Sequence, residues 1–82
     1  MAKLSAVLIV KNEAERIGPC LESLAWADEI VVVDSYSTDA TLDVCSEYTD
    51  RVYQVPFSSF PIQRNAAMGL ASHDWIFFVD AD

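Results

Sequence analysis

The chain has 82 residues, of which 52% are hydrophobic and 22% charged, and 13 acidic against 5 basic residues give a formal net charge of −8. This size and composition predict one small domain with a packed core rather than a disordered chain. The acidic balance argues against nucleic acid and anionic membrane surfaces as direct partners, because both require clustered Lys or Arg.

The first apolar run, Leu4 to Val10, is followed at once by the polar residues Lys11-Asn12-Glu13. It is too short to cross a membrane and lacks the small-residue cleavage site of a signal peptide, so we expect no membrane span. Because the run does not alternate between apolar and polar residues, it predicts a buried strand. The cysteines, Cys20 and Cys45, fit no metal-ligand spacing, which favours reduced thiols in a cytoplasmic protein.

Three further strands are predicted along the chain. Ile30 to Val33 and Trp75 to Val79 are continuous apolar runs, typical of strands that are buried on both faces. Arg51 to Val55 alternates between polar and apolar residues, which indicates a strand nearer the edge of the sheet.

Three helices are predicted between these strands. The first would begin with Pro19 as its first helical residue, since proline suits that position. The second would run from Ala40 to Tyr48 behind an Asp39 cap, and the third from Pro61 to about Ala71.

Strand and helix therefore alternate three times before a last strand, which predicts an α/β fold with three layers and a β-α-β-α-β-α-β order. Helical crossovers imply parallel strands and right-handed connections. We expect the strand order 3-2-1-4, a Rossmann-like arrangement. Its crevice lies at the carboxyl ends of the first and fourth strands, where the strand order reverses.

Three polar segments follow strands and should meet at this edge of the sheet: Lys11-Asn12-Glu13, Asp34 to Asp39, and Asp80-Ala81-Asp82. Taken alone, the last segment suits either a ligand site or a polar turn, because Asp is common in turns. With only two glycines, the chain has no Gly-rich phosphate loop. A bound diphosphate would then need a divalent cation, and oxygen ligands favour Mg²⁺ or Mn²⁺.

In combination these segments resemble the family 2 glycosyltransferases of GT-A fold. The matching parts are the strand and Asn-Glu pair of Ala6 to Glu13, the strand and acidic Ser/Thr-Asp turn of Ile30 to Thr41, the pair Arg64-Asn65, and Asp80-Ala81-Asp82. They cover essentially the whole chain in family order. Lys-Asn-Glu and Val-Val-Val-Asp-Ser are most similar to bacterial transferases that build the lipopolysaccharide core.

The resemblance implies roles for individual residues. Binding of the donor nucleotide is implied for Val10, Asn12, Glu13, Asp34, Ser35, Arg64 and Asp80. Asp80 would hold the ribose, and Asp82 together with Asp80 the metal on the diphosphate. Many members have a second Asp where Ser35 stands, so the base contact is open between Asp34 and Ser35. Tyr36 and Ala40 stand where Gly is frequent in the family, which predicts a turn of different shape.

On this resemblance, residues 1–82 are expected to form the nucleotide-sugar-binding half of a GT-A domain that is truncated after Asp-x-Asp. The catalytic residue is unknown, because the family's general base and acceptor-binding part lie downstream of Asp82. The implied activity is transfer from a UDP-sugar to a hydroxyl of a glycan or lipid-linked acceptor, in lipopolysaccharide or cell-envelope glycan synthesis. The chain alone is expected to be inactive.

The enzyme would act in the cytoplasm, in its full-length form at the inner face of the membrane. An exposed sheet edge and an uncovered apolar face favour self-association of the short chain.

Two alternatives stay open. Haloacid-dehalogenase-like phosphatases also carry Asp-x-Asp after an apolar strand, and Asp80 would then be the nucleophile. That motif normally opens its fold, whereas here three strand–helix units precede it. The other alternative is a non-catalytic fragment that only binds nucleotide.

Overall fold

The computed structural model describes residues 3–56, 60–73 and 75–80, with the backbone alone for Phe60, Pro61 and Asp80. Its elements are, in chain order, β1 (Leu4–Val10), α1 (Ala14–Ser23), β2 (Glu29–Asp34), α2 (Thr41–Ser46), β3 (Val52–Gln54), α3 (Phe60–Leu70) and β4 (Trp75–Asp80). The strands form one parallel sheet in the order β3-β2-β1-β4. The predicted α/β fold and the strand order 3-2-1-4 are confirmed.

The sheet is covered on both faces, which confirms the three layers. On one face, Ala6, Leu8 and Val10 of β1 pack with Leu24, directly after α1, and with residues of α1, β2 and α2: Ile17, Leu21, Val32 and Cys45. On the other face, Val7, Val31 and Val33 pack against Ala67 of α3. Because successive side chains of a strand point to opposite faces, β1 and β2 supply both layers, and this explains their continuous apolar runs.

The register brings the carboxyl ends of the strands together. Val10 of β1 pairs with Asp34 of β2, and Ile9 pairs with Asp80 of β4. On the other side of β2, Asp34 pairs with Gln54 of β3. The polar segments that follow β1, β2 and β4 therefore begin side by side at one edge.

The first helix begins five residues earlier than predicted, at Ala14, and Pro19 lies inside it. Proline removes the hydrogen bond that would reach the Glu15 carbonyl, and both residues are exposed, so water can replace it. The predicted start at Pro19 was wrong because the groups that cap this helix come from residues far away in the sequence. Thr41 Oγ1 accepts a hydrogen bond from the Glu13 N–H (2.8 Å), and Asp39 Oδ2 accepts one from the Ala14 N–H (3.4 Å).

The other helices and the third strand differ less from expectation. α2 covers Thr41–Ser46 and is shorter than predicted, although Asp39 does accept a hydrogen bond from the N–H of its first residue, at 2.9 Å. α3 begins and ends within one residue of its predicted bounds. β3 has three residues and lies at an edge of the sheet, as its alternating pattern predicted.

The last strand is not buried on both faces, contrary to expectation. Ile76 and Phe78 pack on the α3 side, but Trp75 is 63% and Phe77 46% exposed. β4 lies at the other edge of the sheet, and of its residues Val79 packs against the core that α1 and α2 form. Trp26, itself 60% exposed, places its ring 6.0 Å from that of Phe77. These aromatic residues form a surface rather than a core.

A polar network holds the opposite, amino-terminal edge of the sheet. Arg51 Nη1 donates to Glu29 Oε2 at 2.8 Å, and Nη2 donates to the Leu70 carbonyl at 2.7 Å. The other carboxylate oxygen of Glu29 accepts from the Ser5 hydroxyl and the Ser72 N–H, both at 2.8 Å. Burial by itself would raise the pKa of Glu29, but the hydrogen bonds from Ser72 and Ser5 and the Arg51 charge bring it below its ordinary value.

None of the helices in the described parts of the chain is both long and apolar enough to cross a membrane.

Candidate functional site

The loops that follow β1 and β2 are bonded to each other. The Asn12 N–H donates to Ser37 Oγ, and Asn12 Oδ1 accepts from the Thr38 N–H, both at 2.8 Å. Asn12 has a φ of 52°, in the left-handed region that Asn tolerates better than most residues. The first polar segment is thus fixed against the second, as their shared sheet edge led us to expect.

Asp34 closes the turn after β2. Its side chain is fully buried and accepts hydrogen bonds from the N–H and the hydroxyl of Ser37, with Gln54 Nε2 at 3.5 Å. Tyr36, in the same turn, has a φ of 56°, so the backbone takes the left-handed form that glycine would adopt without strain. The Asp34 carboxylate is therefore engaged within its own turn.

Ser35 points to the α3 layer. Its N–H donates to the Val10 carbonyl at 2.9 Å, and its hydroxyl accepts a hydrogen bond from Gln63 Nε2. Gln63 is fully buried, and its amide nitrogen also lies 3.5 Å from the Val55 carbonyl. Its Oε1 has no hydrogen-bond partner within the described residues.

The sequence analysis missed Gln63. A signal was present in the helical spacing, because Gln63 lies four residues before the buried Ala67 and so on the same inward face of α3. A polar side chain at such a position requires a partner, and Ser35 is the one it contacts.

Asp39 has a structural role at the start of α1 and of α2. Its carboxylate accepts hydrogen bonds from the hydroxyl and the N–H of Thr41, and these, with the one from the Ala14 N–H, hold its pKa below the ordinary value. Glu13 is half-buried nearby and has its carboxylate 3.9 Å from Arg16. Asp39, Glu13 and Arg16 line a polar depression of about 340 Å³ beside the start of α1.

Arg64 and Asp80 lie on α3 and β4. Arg64 is exposed, and its guanidinium carbon is 4.7 Å from the centre of the Phe78 ring. Asp80 ends β4 with its backbone paired to Ile9. The side chain of Asp80 and the whole of Asp82 lie outside the described residues. Of the predicted metal ligands, the structure therefore gives only the backbone position of Asp80, at the end of β4.

The chemistry of this edge can be compared with what a divalent cation needs. Within residues 3–56, 60–73 and 75–80, no group of three His, Cys, Asp or Glu side chains could hold a metal ion. Mg²⁺ usually keeps several waters and is bound by one or two carboxylates together with substrate phosphates. The sequence supplies two carboxylates from the end of β4 onward, Asp80 and Asp82, and this number would suffice for a cation bound in that way.

Nearly the whole chain matches one family of known proteins. The sequence model of the family described as glycosyl transferase family 2 matches residues 5–82. The chain belongs to this family. Membership confirms the resemblance found in the motifs, and it favours a glycosyltransferase over the phosphatase alternative.

Curated relatives of this family 2 chain support the same assignment. A protein of Rickettsia felis named as an uncharacterized glycosyltransferase is 40% identical, over 100% of this chain and 29% of its own length. The lipopolysaccharide core biosynthesis glycosyltransferase LpsC of Rhizobium meliloti is 38% identical, over 96% of this chain and 31% of its own length. The expected likeness to lipopolysaccharide core transferases is thus confirmed, and the chain spans less than a third of these relatives.

Solved structures share the fold. Glucosyl-3-phosphoglycerate synthase from Mycobacterium tuberculosis, crystallised with Mg²⁺ and UDP, superposes with a TM-score of 0.77 at 28% identity. The match covers 99% of this chain and 34% of that one. The same enzyme has been crystallised with Mn²⁺, UDP-glucose and phosphoglyceric acid.

Proposed function

We propose that this chain is the donor-binding part of a glycosyltransferase, which binds a UDP-sugar together with Mg²⁺ or Mn²⁺. The observation that carries the proposal is the carboxyl edge of the sheet, where the bonded loops after β1 and β2 adjoin the end of β4. Family membership supports transferase chemistry. The UDP and Mg²⁺ bound by the mycobacterial synthase support the choice of ligand and metal.

The nucleobase would lie near the backbone of Val10 and Asn12, bordered by Glu13. Of the two base contacts that the sequence leaves open, Ser35 is favoured over Asp34. The Asp34 carboxylate is engaged by both the N–H and the hydroxyl of Ser37, whereas Gln63 is the one side chain that the Ser35 hydroxyl contacts among the described residues.

Asp80 would hold the ribose, and Asp82 with Asp80 the metal on the diphosphate. When bound, the cation would stabilise the negative charge that develops on the leaving diphosphate. Arg64 would add a positive charge beside the nucleotide. The acceptor hydroxyl, on a glycan or lipid-linked molecule, would be deprotonated by a base outside residues 1–82, since the carboxylates of this edge serve donor and metal.

Two further parts of the proposal concern context. The likeness to LpsC supports a role in lipopolysaccharide or cell-envelope glycan synthesis. The exposed aromatic residues of β4 support self-association of the short chain. Action in the cytoplasm, at the inner face of the membrane, stays a prediction from the sequence.

The test is a titration of the ¹⁵N-labelled chain with UDP, in Mg²⁺ and in EDTA, followed by NMR. We expect shifts at Asn12 and Ser35 in Mg²⁺ and much weaker binding in EDTA. Asp82→Ala should remove this metal dependence, whereas Asp50→Ala, an exposed residue just before β3, should retain it. Equal affinity in Mg²⁺ and EDTA for the unaltered chain would refute the role of the metal.

A further inference from the structure

Arg64 is an exposed cation in a strongly acidic chain, with a net charge of −8. The ion pairs found among the described residues are those of Arg16 with Glu13 and Arg51 with Glu29. Arg64 instead has its guanidinium carbon 4.7 Å from the Phe78 ring centre, well inside the range of about 6 Å for a cation–π contact. Its charge is therefore held by an aromatic ring and is not neutralised by a carboxylate of the described chain.

The pair lies beside the carboxyl edge of the sheet. Gln63, the residue before Arg64, contacts Ser35 directly after β2, which places this turn of α3 at the edge. Phe78 is two residues before Asp80, which ends β4 and pairs with Ile9. The Arg64–Phe78 pair is therefore close to the carboxyl edge at which the bonded loops and the end of β4 meet.

An aromatic support suits the chemistry of a guanidinium. The group is planar, stacks on rings through its face and directs its N–H donors outward in its own plane. A long side chain that is already restricted by such a contact loses less conformational entropy when it binds an acceptor. Phe78 is half-buried against the α3 layer, so the ring itself is held in place.

We propose that Phe78 is a positioning residue for the nucleotide: it holds the Arg64 guanidinium at the crevice, where its N–H groups meet oxygen atoms of the nucleoside diphosphate. This inference rests on the proposed function, and it adds a residue that touches no ligand and acts through Arg64.

The test is a double-mutant cycle on UDP affinity in Mg²⁺, measured by calorimetry or NMR. Phe78→Leu should weaken binding about 2- to 5-fold, the range expected for loss of an exposed cation–π contact. Phe78→Tyr, which keeps an aromatic face, should retain the affinity. In an Arg64→Ala background, Phe78→Leu should have no further effect, because its contribution passes through Arg64. Phe77→Leu is the matched control on the other face of β4.

A ligand-free readout accompanies the cycle. Arg64 side-chain protons should show upfield ring-current shifts in the unaltered chain, and Phe78→Leu should remove them. Equal losses of affinity for Phe78→Leu and Phe77→Leu, or a further loss in the Arg64→Ala background, would overturn the inference alone. If the unaltered chain bound no UDP in Mg²⁺, the proposed function and the inference would fall together.

Discussion

The Glu29–Arg51 network should make a measurable, pH-dependent contribution to stability. Glu29→Gln keeps the size of the side chain but removes the charge that meets Arg51 Nη1 at 2.8 Å. The new amide would also place N–H donors opposite N–H donors of the guanidinium or of Ser72. We therefore expect the variant to fold with a lower free energy of unfolding.

The magnitude follows from the contact and its exposure. A hydrogen bond to a charged group contributes about 1.5–3 kcal/mol. The Glu29 side chain is 11% exposed but that of Arg51 is 36% exposed, so solvent screens part of the interaction. A loss of about 1–2 kcal/mol results, which for a domain of this size lowers Tm by about 5–15 °C.

The dependence on pH has a definite sign. Because the pKa of Glu29 is lowered in the folded chain, its contribution is complete above the ordinary Glu pKa of about 4.3 and disappears as pH falls through the lowered value. Urea unfolding at pH 7 and at pH 3 measures this. The difference between the unaltered chain and Glu29→Gln should be large at pH 7 and small at pH 3.

The control is Glu22→Gln, on an exposed position of α1, where we expect a change within about 0.5 kcal/mol at both pH values. If Glu29→Gln and Glu22→Gln were equally stable at pH 7, the network would be shown to contribute nothing. A loss that persisted unchanged at pH 3 would show that packing, not charge, is responsible.

Three other predictions concern reactivity, association and activity. Burial, together with the smaller effect of the nearby Asp34 charge, raises the pKa of Cys45 to about 11. Iodoacetamide at pH 8 should therefore label the half-buried Cys20 first and Cys45 only after unfolding. Early Cys45 adducts in mass spectrometry of the folded chain would contradict this prediction. Trp75→Glu should reduce concentration-dependent association in sedimentation velocity. If the chain were monomeric both before and after the change, self-association through the exposed aromatic residues of β4 would be refuted. The chain should not transfer glucose from UDP-glucose to a truncated lipopolysaccharide acceptor, and turnover would place the general base within residues 1–82.

The sheet could be predicted from sequence because its determinants are local. Uninterrupted apolar runs mark β1 and β2 as strands buried on both faces, and helical crossovers leave few parallel arrangements. The same run in β4 predicted burial that Trp75 and Phe77 do not have. The burial of an edge strand depends on which helices and loops pack against it. The residues of the strand itself do not contain that information.

The sequence predicted where the site lies but not which residues bond to each other there. Strand order alone requires the segments after β1, β2 and β4 to meet at one edge. The start of α1 at Ala14 depends on Thr41 and Asp39, which stand 25 to 28 residues away from the N–H groups that they bind. Likewise the burial of Gln63 against Ser35 joins residues 28 apart. Patterns within a window of a few residues cannot contain such pairs.

The bonds between the loops after β1 and β2 have a consequence for engineering. Asn12 binds Ser37 and Thr38, while the first turn of α1 binds Thr41 and Asp39. A chimaera that grafted the second loop alone from a relative would leave donors and acceptors of the first loop without partners wherever the grafted loop lacked these residues. Exchange of both loops together preserves the match, so the unit that can be transplanted between family members is the pair.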